Sequence, residues 1–103
     1  MARSLFDFGE PAAHRIPSPS DAHIADVRQR HPGMVLLFHV GDRYELFGKD
    51  ARLASKLLGL PISTDPRSRP LVGFPSAALE VHLRTLLHSG CRVAICDSME
   101  DQA

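Results

Sequence analysis

The run Met34-Val35-Leu36-Leu37-Phe38-His39-Val40 leaves the rest of this chain few choices. It is too short for a typical buried helix, and it is closed by Gly33 on one side and Gly41-Asp42 on the other. Such a segment reads as a central strand buried on both faces. A strand of that kind needs a packed layer above it and another below. Gly41-Asp42 is a tight-turn signal, and Arg43 to Phe47 reads as the returning strand of a hairpin.

The flanking segments supply the layers. Ser18-Pro19-Ser20-Asp21 is a helix start, with Ser18 as N-cap, Pro19 at the first helical position and Asp21 completing a capping-box pattern. Ile24, Ala25 and Val27 give that helix a thin apolar face, and His31-Pro32-Gly33 stops it. Helical spacing returns from Asp50, with Ala51, Ala54, Leu57 and Leu58 on one stripe and Gly59 as the stop. Thr64 to Pro70 is a polar loop, and Leu71 to Phe74 is a short strand. Pro75-Ser76 opens a third helix carrying Leu79, Leu83, Leu86 and Leu87 before Gly90, and Cys91 to Cys96 is the last strand. The alternation predicts an α/β fold, a central mixed β-sheet flanked by α-helices. Residues 1–17 form a poorly patterned, flexible leader, residues 18–103 form the domain, and the acidic tail from Asp97 frays.

A chain of 103 residues, 44% of them apolar, supports one modest core. Formal net charge is zero, which weighs against strong non-specific DNA binding, since Lys and Arg on phosphate supply most of that affinity. Ten of the twelve basic residues are Arg, the type suited to bidentate and stacking contacts. Cys91 and Cys96 sit at opposite ends of a predicted strand, roughly 16 Å apart and on opposite faces, so they read as free thiols of a reducing cytoplasm. No apolar stretch reaches membrane-spanning length and no signal-peptide core is present, so a cytoplasmic protein is expected.

Gly41-Asp42-Arg43-Tyr44-Glu45-Leu46-Phe47 resembles the Gly-Asp-Phe-Tyr-Glu-Leu-Phe signature of the mismatch-recognition domain of the bacterial MutS DNA mismatch repair family. Other blocks are similar in order and spacing. They are His31-Pro32 through Phe38, Asp50-Ala51 through Leu58, Val72-Gly73-Phe74-Pro75 (the family's Gly-Ile-Pro turn) and Val93-Ala94-Ile95-Cys96-Asp97. Together they cover roughly residues 22 to 103. The resemblance implies the MutS N-terminal fold over residues 18–103 and a DNA-binding module of mismatch repair, with double-stranded DNA as partner. In the family the aromatic ring and the Glu two residues later touch the mispaired base. Here Glu45 stands at the second place and Arg43 at the first.

A mismatched step is easily kinked, and an aromatic wedge recovers on the order of 1–3 kcal/mol by stacking there. Arg43 and Glu45, two residues apart on a strand, share a face. Arg43 is no apolar wedge, but its planar guanidinium can stack on a base or grip phosphate. The two charges can equally pair with each other on a solvated surface, worth at most about 1 kcal/mol. Arg67 and Arg69 form a second candidate, either a phosphate clasp or a solvated loop. Asp42 reads as a turn residue, and Tyr44 and Phe47 as structural. His39, His82 and His88 lack metal-ligand spacing, and Asp42, Glu45 and Lys49 fit no two-metal nuclease pattern.

No Gly-x-x-x-x-Gly-Lys-Ser/Thr loop occurs, so neither ATP nor another cofactor is expected, and catalysis is not expected. The chain is expected to be either a stand-alone or an excised copy of the domain, and the leader and starting Met favour a natural short protein. Two functions follow: a non-catalytic DNA-binding module with weak binding and reduced mismatch selectivity, or a protein-interaction adaptor that kept the fold and lost mismatch binding. Other repair proteins are candidate partners. So is the sliding clamp, because Ser4-Leu5-Phe6 loosely resembles a clamp-docking peptide.

Overall fold

Residues 18–97 are described by a computed structural model, and the apolar run becomes a strand, β1 (Val35–Val40). It turns through Gly41 and Asp42 into β2 (Arg43–Phe47), with Val40 opposite Arg43 and Phe38 opposite Glu45. Gly41 has φ 64°, the left-handed geometry that the first central position of a II′ hairpin requires and that glycine adopts without steric cost. Further along the chain lie the two-residue β3 (Ser63–Thr64), β4 (Pro70–Pro75) and β5 (Val93–Asp97). The sheet runs β3-β4-β2-β1-β5, antiparallel except where β5 joins β1 in parallel. The sheet is therefore mixed, as expected, with the hairpin at its centre.

Helices α1 (Asp21–Arg30), α2 (Lys49–Leu58) and α3 (Leu79–His88) cover it. The two-residue period of β1 divides its side chains between two cores. Val35 and Leu37 pack with Tyr44, Leu46, Val72, Phe74 and the α2 residues Ala51 and Ala54. Leu36 and Phe38 pack with Phe47, Ala94, Cys96 and Val27 of α1. Asp50, buried in the first turn of α2, ties the layers together. Its Oδ2 accepts from the Leu36 N–H at 3.1 Å and from Arg28 Nη2 at 3.2 Å. Without that carboxylate a buried strand N–H would lose its partner, a cost of about 1–3 kcal/mol.

Several expectations shift in detail. The N-cap of α1 is Ser20 rather than Ser18: the Ser20 hydroxyl accepts from the His23 N–H at 3.0 Å, and the helix opens at Asp21. Ser20→Ala should lower stability by about 1 kcal/mol, read as a shift in urea midpoint at constant slope, whereas Ser18→Ala should leave it unchanged. The polar loop expected over Thr64 to Pro70 narrows to residues 65–69, because β3 ends at Thr64 and pairs with the start of β4 at Pro70. A 3₁₀ turn, Ser76–Ala78, precedes α3. Leu86 is fully buried and Leu79 packs against the core, but Leu87 is 50% exposed, because it lies one position beyond the core-facing stripe. The last strand begins at Val93, so Cys91 precedes it. Both cysteines are free thiols. No described helix is long and apolar enough to cross a membrane. The leader, its Ser4-Leu5-Phe6 motif and the tail beyond Asp97 lie outside the described residues.

Candidate nucleic-acid interface

β2 is buried along most of its length, with Tyr44, Leu46 and Phe47 all in the core. At its start, beside the Gly41-Asp42 turn, Arg43 keeps 49% of its side chain exposed. Glu45, two residues on, shares that face but retains only 15% exposure. Arg43 Nε lies 3.9 Å from Glu45 Oε2, too long for a hydrogen bond and close enough for a loose ion pair. The neighbouring strand explains the posture. β4 places Gly73 opposite Glu45 and Pro75 opposite Arg43. The Arg43 guanidinium reaches back diagonally over Gly73, where a Cβ would stand 2.5 Å from Nη2 and 3.4 Å from Glu45 Cγ.

Tyr44 points to the opposite face, as a structural residue should. Its ring stacks on His39 at 4.7 Å and on Phe74 at 5.9 Å, and His82 meets Phe74 edge-on at 4.7 Å. These histidines thus cap an aromatic row. Among the described residues no group of three or more His, Cys, Asp or Glu could hold a metal ion. Asp42 serves the turn, its carbonyl accepting from the Ser76 N–H at 2.9 Å.

Arg67 and Arg69 do not act as a pair. Arg67 is exposed, while Arg69 turns inward with 12% of its side chain exposed. Arg69 Nε donates to Asp65 Oδ2 at 2.8 Å, Nη2 lies 2.6 Å from the same oxygen, and Nη1 donates to Asp21 Oδ1 at 3.0 Å. Its guanidinium also lies 4.7 Å over the Phe47 ring. Two carboxylates and a ring already occupy this cation, so a two-arginine phosphate clasp is not the geometry present. Asp65 is the residue that sequence reasoning passed over. Its Oδ1 accepts the backbone N–H of both Arg67 and Arg69 at 2.9 Å, which closes the turn. Burial pushes its carboxyl up, but the hydrogen bonds from the Arg69 side chain and from both backbone N–H groups, with the Arg69 charge, outweigh burial. The carboxyl is held below the ordinary carboxylate range. The loop sits at the Phe47 end of β2, since Gly48 N–H donates to the Pro70 carbonyl at 3.0 Å. Four strand residues, about 13 Å, separate it from Arg43.

The hairpin, the Gly-Phe-Pro segment of β4, which forms strand rather than a turn, and the Glu45 face thus occur together in one sheet, and the family described as MutS domain I matches residues 18–103. The chain belongs to the MutS domain I family. It is 46% identical over 79 residues to the DNA mismatch repair protein MutS of Salinibacter ruber, covering 73% of this chain and 9% of that protein. It is 40% identical over 90 residues to the DNA mismatch repair protein MutS of Porphyromonas gingivalis, covering 84% of this chain and 10% of that protein. With the corresponding protein of Bradyrhizobium the identity is 38% over 90 residues. The chain thus spans about a tenth of the length of these relatives. As a MutS domain I it carries the sheet and helices expected from its pattern, with a cation at the head of the signature strand.

Proposed function

We propose that this MutS domain I binds double-stranded DNA in mismatch repair, without a cofactor and without a catalytic step of its own. Arg43 makes that binding phosphate-driven. The reading rests on one observation: the only signature-strand side chain that is half exposed is a cation, and it lies beside Glu45 on one face. An arginine there is attracted to every backbone phosphate alike, and that attraction carries no sequence information. Arg67, exposed in the loop at the far end of β2, offers a second phosphate contact. Arg69 serves the domain by holding the 65–69 loop.

Fluorescence-anisotropy titrations of matched and G·T duplexes test this. Weak binding is expected, steeply lost between about 50 mM and 200 mM salt and nearly equal for the two duplexes. The alternative, a protein-interaction adaptor that kept the fold and lost mismatch binding, draws on the Arg43–Glu45 pair and the zero net charge, which leave little field to attract DNA. Absence of binding to either duplex at high micromolar protein and low salt would decide for the adaptor.

A further inference from the structure

We infer that Gly73 is the specificity-determining partner of Arg43. By lacking a side chain it forms a slot that receives the Nη2 end of the guanidinium beside Glu45 and holds that end back from ligand phosphates, leaving the exposed remainder to them. The inference deepens the DNA-binding reading and rests on it for its functional consequence. The geometry of the slot stands apart from that reading.

Three observations carry it. First, the Arg43–Glu45 contact at 3.9 Å is too long to fix a flexible side chain by hydrogen bonding, so something else accounts for the guanidinium's posture. Second, Nη2 and Cζ of Arg43 stand 2.5 and 3.5 Å from where a Gly73 Cβ would be, so the guanidinium fills the space that any other residue would take. Third, Gly73 is interior to β4, directly opposite Glu45, and does not have the left-handed backbone that would itself demand glycine. A glycine in mid-strand marks a close approach, and the group that approaches here is Arg43.

The slot decides what Arg43 can touch. Seated there, it keeps Nη2 against the sheet and offers only its exposed remainder to a ligand. Lifted out, it extends from the strand end as a free cation. Gly73→Ala should lift it without harming the fold, because the clash falls on the far end of a flexible side chain and alanine suits a strand better than glycine.

The test combines nuclear magnetic resonance with duplex titration on the full chain. In the wild type, the Arg43 Nε–H resonance, assigned by its loss in Arg43→Lys, should show cross-relaxation to the α-protons of Gly73 and a shift in Glu45→Gln. In Gly73→Ala both signs should vanish. Duplex affinity at low salt should then rise, by about fivefold at most, because that is the largest factor a surface ion pair of this kind withholds. The slope of log affinity against log salt should steepen by less than one full phosphate contact. Missing cross-relaxation in the wild type, or its persistence in Gly73→Ala, overturns the slot. If the resonance moves as expected but neither protein binds duplex, the slot stands and the DNA-binding reading falls. If the resonance moves and both bind duplex with equal affinity and slope, the withholding of Arg43 is refuted.

Discussion

Asp65→Asn should cost the domain about 3 kcal/mol at neutral pH, because it breaks a buried pair and leaves Arg69, among the described residues, with the exposed carboxylate of Asp21 and the Phe47 ring. The side chain of Asp65 has no exposed surface, so solvent cannot replace the lost charge. The loss should depend on pH in a defined sense. The folded-state pKa of Asp65 lies below its ordinary value, so its contribution is fully present above the unfolded-state value of about 3.8. It is lost as pH falls through the folded-state pKa. Wild type and Asp65→Asn should therefore differ most near neutrality and converge in acid. Urea unfolding followed by circular dichroism across this range measures the difference. A gap below about 0.5 kcal/mol at pH 7, the usual range of a surface substitution, would show that the loop does not depend on this carboxylate.

Arg43→Phe should convert an indiscriminate contact into a selective one. An uncharged ring gains stacking only where the duplex already yields, whereas a cation gains from every phosphate. The preference for a G·T over a matched duplex should rise by a factor bounded by about 1–3 kcal/mol of base stacking. The salt slope should fall by at most about one contact. Glu45 must be intact for the gain, so Arg43→Phe combined with Glu45→Ala should lose it. A wild type that already prefers the G·T duplex by about tenfold, roughly 1.4 kcal/mol, would refute this and make Arg43 a working substitute for the ring.

The elements most visible in the sequence were those whose signal is local. The apolar run of β1, the Gly41-Asp42 turn, and Ala51 and Ala54 of α2 each declare themselves within a few residues, and the structure has them where the pattern does. Two serines flanking Pro19 offered the same capping chemistry, and only the helix's first turn distinguishes Ser20 from Ser18. β3 has two residues, too few to show a period, and it exists because β4 accepts it. At the candidate site the limits are non-local. Arg67 and Arg69 look alike in sequence, but Asp65 closes the turn between them and captures only Arg69. Asp50 reads as an ordinary first-turn acid of α2, yet its partners are fourteen residues back in β1 and twenty-two back in α1. The relation between Arg43 and Gly73 is set by strand register, which no single segment encodes.

The signature strand is paired on both sides and buried at Tyr44, Leu46 and Phe47, while Arg43 stands at its exposed end in a loose pair with Glu45. That pair is worth at most about 1 kcal/mol, against the 5–15 kcal/mol by which a domain of this size is stable. Fold and ligand chemistry are therefore separable at this residue. Selection for a stable domain scarcely sees position 43 and would let almost any side chain pass. Selection for what the domain touches sees this position together with Glu45. A lineage can thus reassign the contact in one codon change while inheriting the scaffold intact.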